Sequence, residues 1–317
     1  LASVTPASPP QRSLRPAPAR IDHPFRGIAL IVLSTVFLGI SDVSGKYLSA
    51  TLPSIEIAWL RFVLFALIML PWTLPRSPLN ALRTTRLPLQ LMRGAALLGS
   101  SLFFVTGLRY LPIAEASATF FVAPLLVTAL SIVFLRERVE WRRWLATAGG
   151  LIGVVIILRP GIGAFDPALL FPIAAALTWA CTLIMTRMMS GREAAVTTMA
   201  YSSITGVAIL SVMVPAVWVN PSWHDLGFGL LLGLTSTAGQ GIVVLAFRYA
   251  DASLLAPFSY TQLIWVSLLG FAIFGEIPDL ETVTGAAFIV CSGIYVAHRE
   301  RVRRSAPRLT AAPVSTP

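Results

Sequence analysis

Four groups of polar and aromatic residues stand in the middle of long apolar runs. Phe258, Gln262 and Trp265 recur at i, i+4 and i+7, one face of a helix, with Tyr260 and Thr261 beside them. Thr178, Thr182 and Met185 make a second stripe, flanked by Trp179. Ser34, Phe37, Ser41 and Ser44 make a third, and Ser236, Thr237 and Gln240 cluster as a fourth. An unpaired amide or hydroxyl in apolar surroundings costs several kcal/mol, so each needs a partner helix, water or a ligand. Amides and hydroxyls walled by indole and phenyl rings suit binding of neutral or zwitterionic organic molecules, with cation–π contact to an ammonium group. They break no covalent bonds.

Charges inside apolar runs are rare and carry a functional hypothesis by default. Asp42 and Lys46 are neighbours on one helix face. They read as a mutually neutralising pair close to an interface. In a functional reading they form a gate, with Lys46 attracting a carboxylate or Asp42 taking a proton. Arg61 lies deeper, with Glu56 on the same helix, and reads as structural. Glu115 opens a helix, where a carboxylate suits the N-terminal dipole. Glu137 and Glu276 read as hydrogen-bonding turn elements. His23, His224 and His298 are scattered between tail, loop and helix end, and Cys181 and Cys291 lie in apolar runs. No catalytic constellation, metal site, disulfide framework or glycine-rich phosphate loop emerges, and no cofactor is implied.

The elements that position these residues follow from composition. Of 317 residues, 56% are hydrophobic and 12% charged, against about 25% charged in a soluble domain. Mean hydropathy is +0.78. Such a chain lacks the charge to cover a water-facing surface, which excludes a soluble enzyme, a disordered protein and a nucleic-acid binder. It reads as an integral membrane protein. A helix crosses the bilayer core with about 20 apolar residues. Spans are expected near 27–48, 54–74, 92–110, 112–135, 142–159, 167–188, 194–218, 226–247, 251–274 and 279–297. Residues 1–25 are rich in Pro, Ala, Ser and Arg and read as a disordered tail, not a signal peptide.

Most of the 24 Lys and Arg residues fall on one side if the N-terminus is inside, so both termini are expected to be cytoplasmic. Trp141 and Trp144 among Arg138, Arg142 and Arg143 read as an interfacial aromatic belt rather than a nucleic-acid patch. Gly149/Gly153 and Gly229/Gly233 have the spacing of close helix packing within one chain.

The halves align at an offset of 139 residues: Arg109/Arg248, Tyr110/Tyr249 and Glu137/Glu276 coincide, with several apolar pairs. Five spans per half is an odd number, so the second half enters the membrane upside down. Inverted halves rocking around a midplane site are a transporter device. Pro124, Glu137 and Gly149-Gly150-Leu151-Ile152-Gly153, then Gly275-Glu276, Gly285 and Gly293, together with Trp59-Leu60-Arg61-Phe62, resemble the EamA-type drug/metabolite transporter family. The resemblance covers about residues 27–297. It implies ten helices in two inverted repeats and a central cavity among helices 1, 3, 4, 6, 8 and 9. Leu263 stands where the second copy would have its proline, and Arg136 where the first would have glycine.

The expected fold is all-α integral membrane, ten transmembrane helices as two inverted five-helix repeats. Its parts are a cytoplasmic tail (1–25), repeats at 26–160 and 161–298, and a basic tail (299–317). The expected function is export of small organic metabolites, amino acids foremost, by alternating access in the cell inner membrane. Uptake of a nucleoside-like metabolite is the alternative, and a channel or membrane-embedded enzyme the reading from another class. The partners are the substrate and the lipid bilayer, with no nucleic acid and a monomer favoured. The site is expected between helices 1, 6, 8 and 9, with Trp179, Gln262 and Trp265 as leading contacts.

Overall fold

The computed structural model describes residues 23–73, 84–136, 141–158, 166–189, 193, 195–246, 249, 255 and 258–305. All the regular structure among them is helical. The helices are α1 (Pro24–Ser49), α2 (Ser54–Thr73), α3 (Leu87–Tyr110), α4 (Ile113–Phe120), α5 (Ala123–Leu135) and α6 (Trp141–Leu158) in the first half. The second half holds α7 (Leu170–Met189), α8 (Ala195–Met213), α9 (Trp223–Ala246), α10 (Thr261–Phe274) and α11 (Leu280–Ser305). Among the described residues, six helical segments are long and apolar enough to cross a membrane. Three shorter apolar helices, Ala148–Ile157, Thr261–Phe274 and Leu280–Ser292, accompany them. With α4 and α5 forming one span, and α10 continuing a ninth whose earlier helical residues include 258–259, the architecture is ten spans.

Four spans differ from expectation. The third span starts at Leu87, not near 92, so Gln90 is helical. Pro88 in its first turn costs nothing, because the first N–H groups of a helix have no partner there. The tenth helix runs on to Ser305, into the segment expected as a tail. The fourth span breaks after Phe120 and restarts at Ala123. Pro124 explains the break: it has no N–H for the Phe120 carbonyl, and its ring crowds that oxygen. The ninth span breaks at Tyr260 with Leu263, not a proline, in the turn that restarts, and its Pro257 precedes the break in the sequence. There the Thr261 hydroxyl donates to the Phe258 carbonyl at 2.7 Å, and the Leu263 N–H to the Tyr260 carbonyl at 3.0 Å, tightening the turn.

Packing follows a two-fold exchange of halves. The first span packs on the eighth as the third packs on the sixth, and the first on the ninth as the fourth on the sixth. Likewise the third meets the seventh as the eighth meets the second, while the second and seventh, and the fifth and tenth, pair with each other. Exchanging halves returns each of these principal pairs, as two inverted five-helix repeats require. Glycines set the closest approaches. A Cβ on Gly153 would lie 2.5 Å from the Gly285 carbonyl oxygen, and one on Gly233 would lie 2.4 Å from Leu64 Cδ1. Gly149 faces open space and takes no part in that seam.

Candidate functional site

The ninth span restarts beside the first helix, and the fourth restarts beside the sixth. Gln262, the second residue of α10, donates from Nε2 to Asp42 Oδ2 at 2.7 Å. One residue earlier, the hydroxyl oxygens of Thr261 and Thr35 are 2.9 Å apart. The first span approaches because Gly39 presents no side chain: a Cβ there would meet Trp265 Cβ at 3.3 Å. Arg61 of the second span is within electrostatic reach of Asp42. Phe121 and Tyr260, which stand 139 residues apart in the two repeats, contact each other with ring centroids at 5.1 Å. Phe121 also meets Phe120, and Phe120 meets Phe104, so aromatic rings run from the third span to the ninth. Trp179 packs on the same apolar cluster.

Several polar atoms on the spans around this junction are buried without a hydrogen-bond partner among the described residues. They include the hydroxyls of Ser101, Ser117, Thr119 and Thr237 and the Trp265 Nε1. These five come from the third, fourth, eighth and ninth spans. Such groups lose their hydration on burial, and a ligand or water that bonds them recovers it.

The expected site residues divide into two sets. Gln262, Trp265, Tyr260 and Asp42 are brought together at the junction of the first and ninth spans. The stripes of hydroxyls mostly bond their own helices: Ser34 to the Ile31 carbonyl, Thr178 to Ala174, Thr182 to Thr178 and Ser236 to Gly233. Ser41 reaches across to the Leu232 carbonyl at 3.3 Å. Phe258 packs against Ile31, Ala246 and Leu255. Phe37 and Gln240 are half-buried.

Asp42 and Lys46 part company rather than neutralise each other. Lys46 Nζ lies 2.5 Å from Glu276 Oε1, donates to the Leu111 carbonyl at 2.7 Å and stands 5.6 Å from the Phe274 ring centroid. The other Glu276 oxygen accepts the Ile113 N–H at 2.9 Å. Glu276 therefore ties three spans, which is more than a local turn element. Its repeat partner Glu137 lies outside the described residues. Glu56 accepts the Val219 N–H at 3.1 Å.

Sequence reasoning missed Phe104, Phe120, Phe121, Thr35 and the orphaned hydroxyls, which look like ordinary core residues. The signal for Phe121 was available in the repeat offset from Tyr260. Arg93, which the sequence does not mark as a bonding residue, bonds Thr186 at 2.7 Å, Ser202 and the Thr198 carbonyl.

Comparison with known proteins agrees with the geometry. The EamA-like transporter family matches twice, over residues 25–159 and 166–297. An S-adenosylmethionine uptake transporter of Rickettsia prowazekii is 30% identical over 275 residues, covering 87% of this chain and 93% of its own. A riboflavin transporter of Vibrio cholerae is 28% identical over 88% of this chain and 95% of its own. A pseudopaline exporter of Pseudomonas aeruginosa is 25% identical over 87% and 97%. A solved crystal structure superposes with a TM-score of 0.62 at 20% identity, covering 87% of this chain and 98% of its own, which shows the shared fold. These relatives are transporters, not enzymes, and the first two leave amino-acid export unconfirmed. The chain is a multi-pass membrane transporter and belongs to the EamA-like transporter family.

Proposed function

We propose that this protein is a secondary transporter or facilitator working by alternating access, and that its substrate joins a flat heteroaromatic ring to a polar tail. The contact between Phe121 and Tyr260 carries this reading. Repeat-related rings meeting where both broken spans restart offer a stacking surface that both halves share. Trp179 and Trp265 extend it, and the unpartnered hydroxyls of Ser117, Thr119 and Thr237 suit the polar tail. S-adenosylmethionine and riboflavin, named for two relatives, each contain a fused nitrogen heterocycle. Uptake of an S-adenosylmethionine-like metabolite is the leading assignment. Export of amino acids is the second reading, favoured by the pseudopaline exporter among the relatives.

The membrane is the cell inner membrane and both termini are cytoplasmic, as the distribution of Lys and Arg supports. Single cysteines at Thr85 and Ser222 are expected to label from opposite sides of intact cells; labelling of both from outside overturns this orientation. For the substrate, proteoliposomes loaded with unlabelled S-adenosylmethionine are expected to accumulate the labelled compound by counterflow, and Phe121→Ala or Trp265→Ala to abolish it. Counterflow of labelled amino acids alone would move the assignment to the second reading. A conductance across a planar bilayer without counterflow would make it a channel.

A further inference from the structure

We infer that Asp42 is a proton-coupling group, passing between carboxylate and carboxylic acid once per transport cycle with the Gln262 amide as its partner in both forms. This goes beyond the substrate assignment and does not depend on it. Asp42 is the acid of the first span and is 8% exposed. Its Oδ2 accepts from Gln262, while Oδ1 has no hydrogen-bond partner among the described residues. Nor is Oδ1 among the fully enclosed polar atoms. The carboxyl group thus keeps one oxygen unpaired among the described residues and not fully enclosed.

Gln262 carries a donor and an acceptor on one planar group. Its Nε2 serves the carboxylate, as seen here. Turned over, the amide presents Oε1, which accepts the O–H of the acid. Both protonation states are then satisfied without separating the helices. The only bond made or broken is the O–H bond: the proton comes from water on one face of the membrane and returns to water on the other.

Few charged groups surround Asp42 among the described residues. The second span contributes Arg61, whose field acts on it, and Glu56, which is held by the Val219 N–H. The eighth span has titratable groups only at His224 and Asp225, in its first turn, and α10 has none beyond Tyr260 at its start. The third span brings Arg93 and Arg109 toward its two ends, and the fourth brings Glu115 in its first turn. On its own helix, Lys46 is committed to Glu276 and Leu111.

Position gives the proton something to do. Gln262 and Thr261 open α10, directly after the break at Tyr260, and both bond the first span. A bond to a charged acceptor is roughly twice as strong as one between neutral groups. Protonating Asp42 therefore loosens the tie between the first span and the restart of the ninth, one of the joints through which the two halves touch.

Infrared difference spectroscopy on the purified protein with isotope-labelled aspartate tests this without any substrate. A labelled carboxylic-acid carbonyl band is expected to vanish as pH rises across neutrality, and to be absent in Asp42→Asn. Asp42→Glu folds the same carboxyl into the site from an unlabelled residue, so there the band is expected without the isotope shift. In proteoliposomes with S-adenosylmethionine as probe, Asp42→Asn is expected to lose accumulation driven by a pH gradient, and Asp42→Glu to keep it. A wild-type protein with no titrating aspartate band, or a band unchanged in both variants, overturns the inference. So does gradient-driven accumulation that persists in Asp42→Asn. If S-adenosylmethionine is not carried, the substrate assignment fails and the infrared titration still decides the role of Asp42.

Discussion

Arg136 and Gly275 end repeat-related helices in the same left-handed conformation, with φ of 53° and 69°. In each repeat the cap N–H turns back to a carbonyl of the last turn: Arg136 to Ser131, and Gly275 to Phe271. The turn demands positive φ, which glycine adopts freely and a side-chain-bearing residue adopts at a cost.

Arg136→Gly is therefore expected to stabilise the protein by about 1 kcal/mol, the penalty for a left-handed residue with a Cβ. Gly275→Ala is expected to destabilise it by a similar amount. Thermal unfolding in detergent measures both. A lower melting temperature for Arg136→Gly would mean that the arginine side chain is worth more than the strain.

The Lys46–Glu276 ion pair joins the first span to the end of the ninth, and both partners also bond backbone at the hinge between the third and fourth. Lys46→Met leaves Glu276 with one donor, while Glu276→Gln leaves a half-buried ammonium short of its counter-charge. The two changes are expected to be non-additive, with a coupling of about 1–3 kcal/mol in a double-mutant cycle. Additive losses would show that the pair contributes no more than its separate backbone bonds.

Gly153→Ala is expected to destabilise by about 1–3 kcal/mol, because its Cβ would be driven into the backbone of the tenth span at Gly285. Gly149→Ala is expected to be neutral or slightly stabilising, since nothing lies within 4 Å of a Cβ there. Unfolding curves of the two variants compared directly check this contrast.

Burial, the largest single influence on Glu193 between the sixth and seventh spans, pushes its carboxyl up. Hydrogen bonds from the Thr85 N–H and from the side chains of Thr84, Thr85 and Gln90 outweigh it, so its carboxyl lies below its ordinary value. A depressed pKa contributes stability above the unfolded value of about 4.3 and loses it as pH falls through the folded value. Stability is thus expected to decline on the acid side of that window, and Glu193→Gln to flatten the decline. Melting temperature against pH for both proteins is the measurement.

What the sequence by itself determined is whatever depends on local composition and on repetition. A run of about 20 apolar residues has to be a spanning helix, because a bilayer offers its backbone no other partners. Pro124 already marks a break, since a missing N–H is a property of the residue. The offset of 139 residues pairs Phe121 with Tyr260 and Arg136 with Gly275 before any coordinates are known. Which polar groups meet was decided only in three dimensions. Asp42 lies one turn from Lys46, yet it bonds Gln262, 220 residues away, and Lys46 bonds Glu276. Helical spacing shows which side chains share a face, but not which helix that face meets or whether a hydroxyl turns back to its own carbonyl. Ser34, Thr178 and Ser236 turn back to their own helices. Thr35 and Thr261 turn back as well, to the Val32 and Phe258 carbonyls, yet they also meet each other, because their helices approach where Gly39 leaves room.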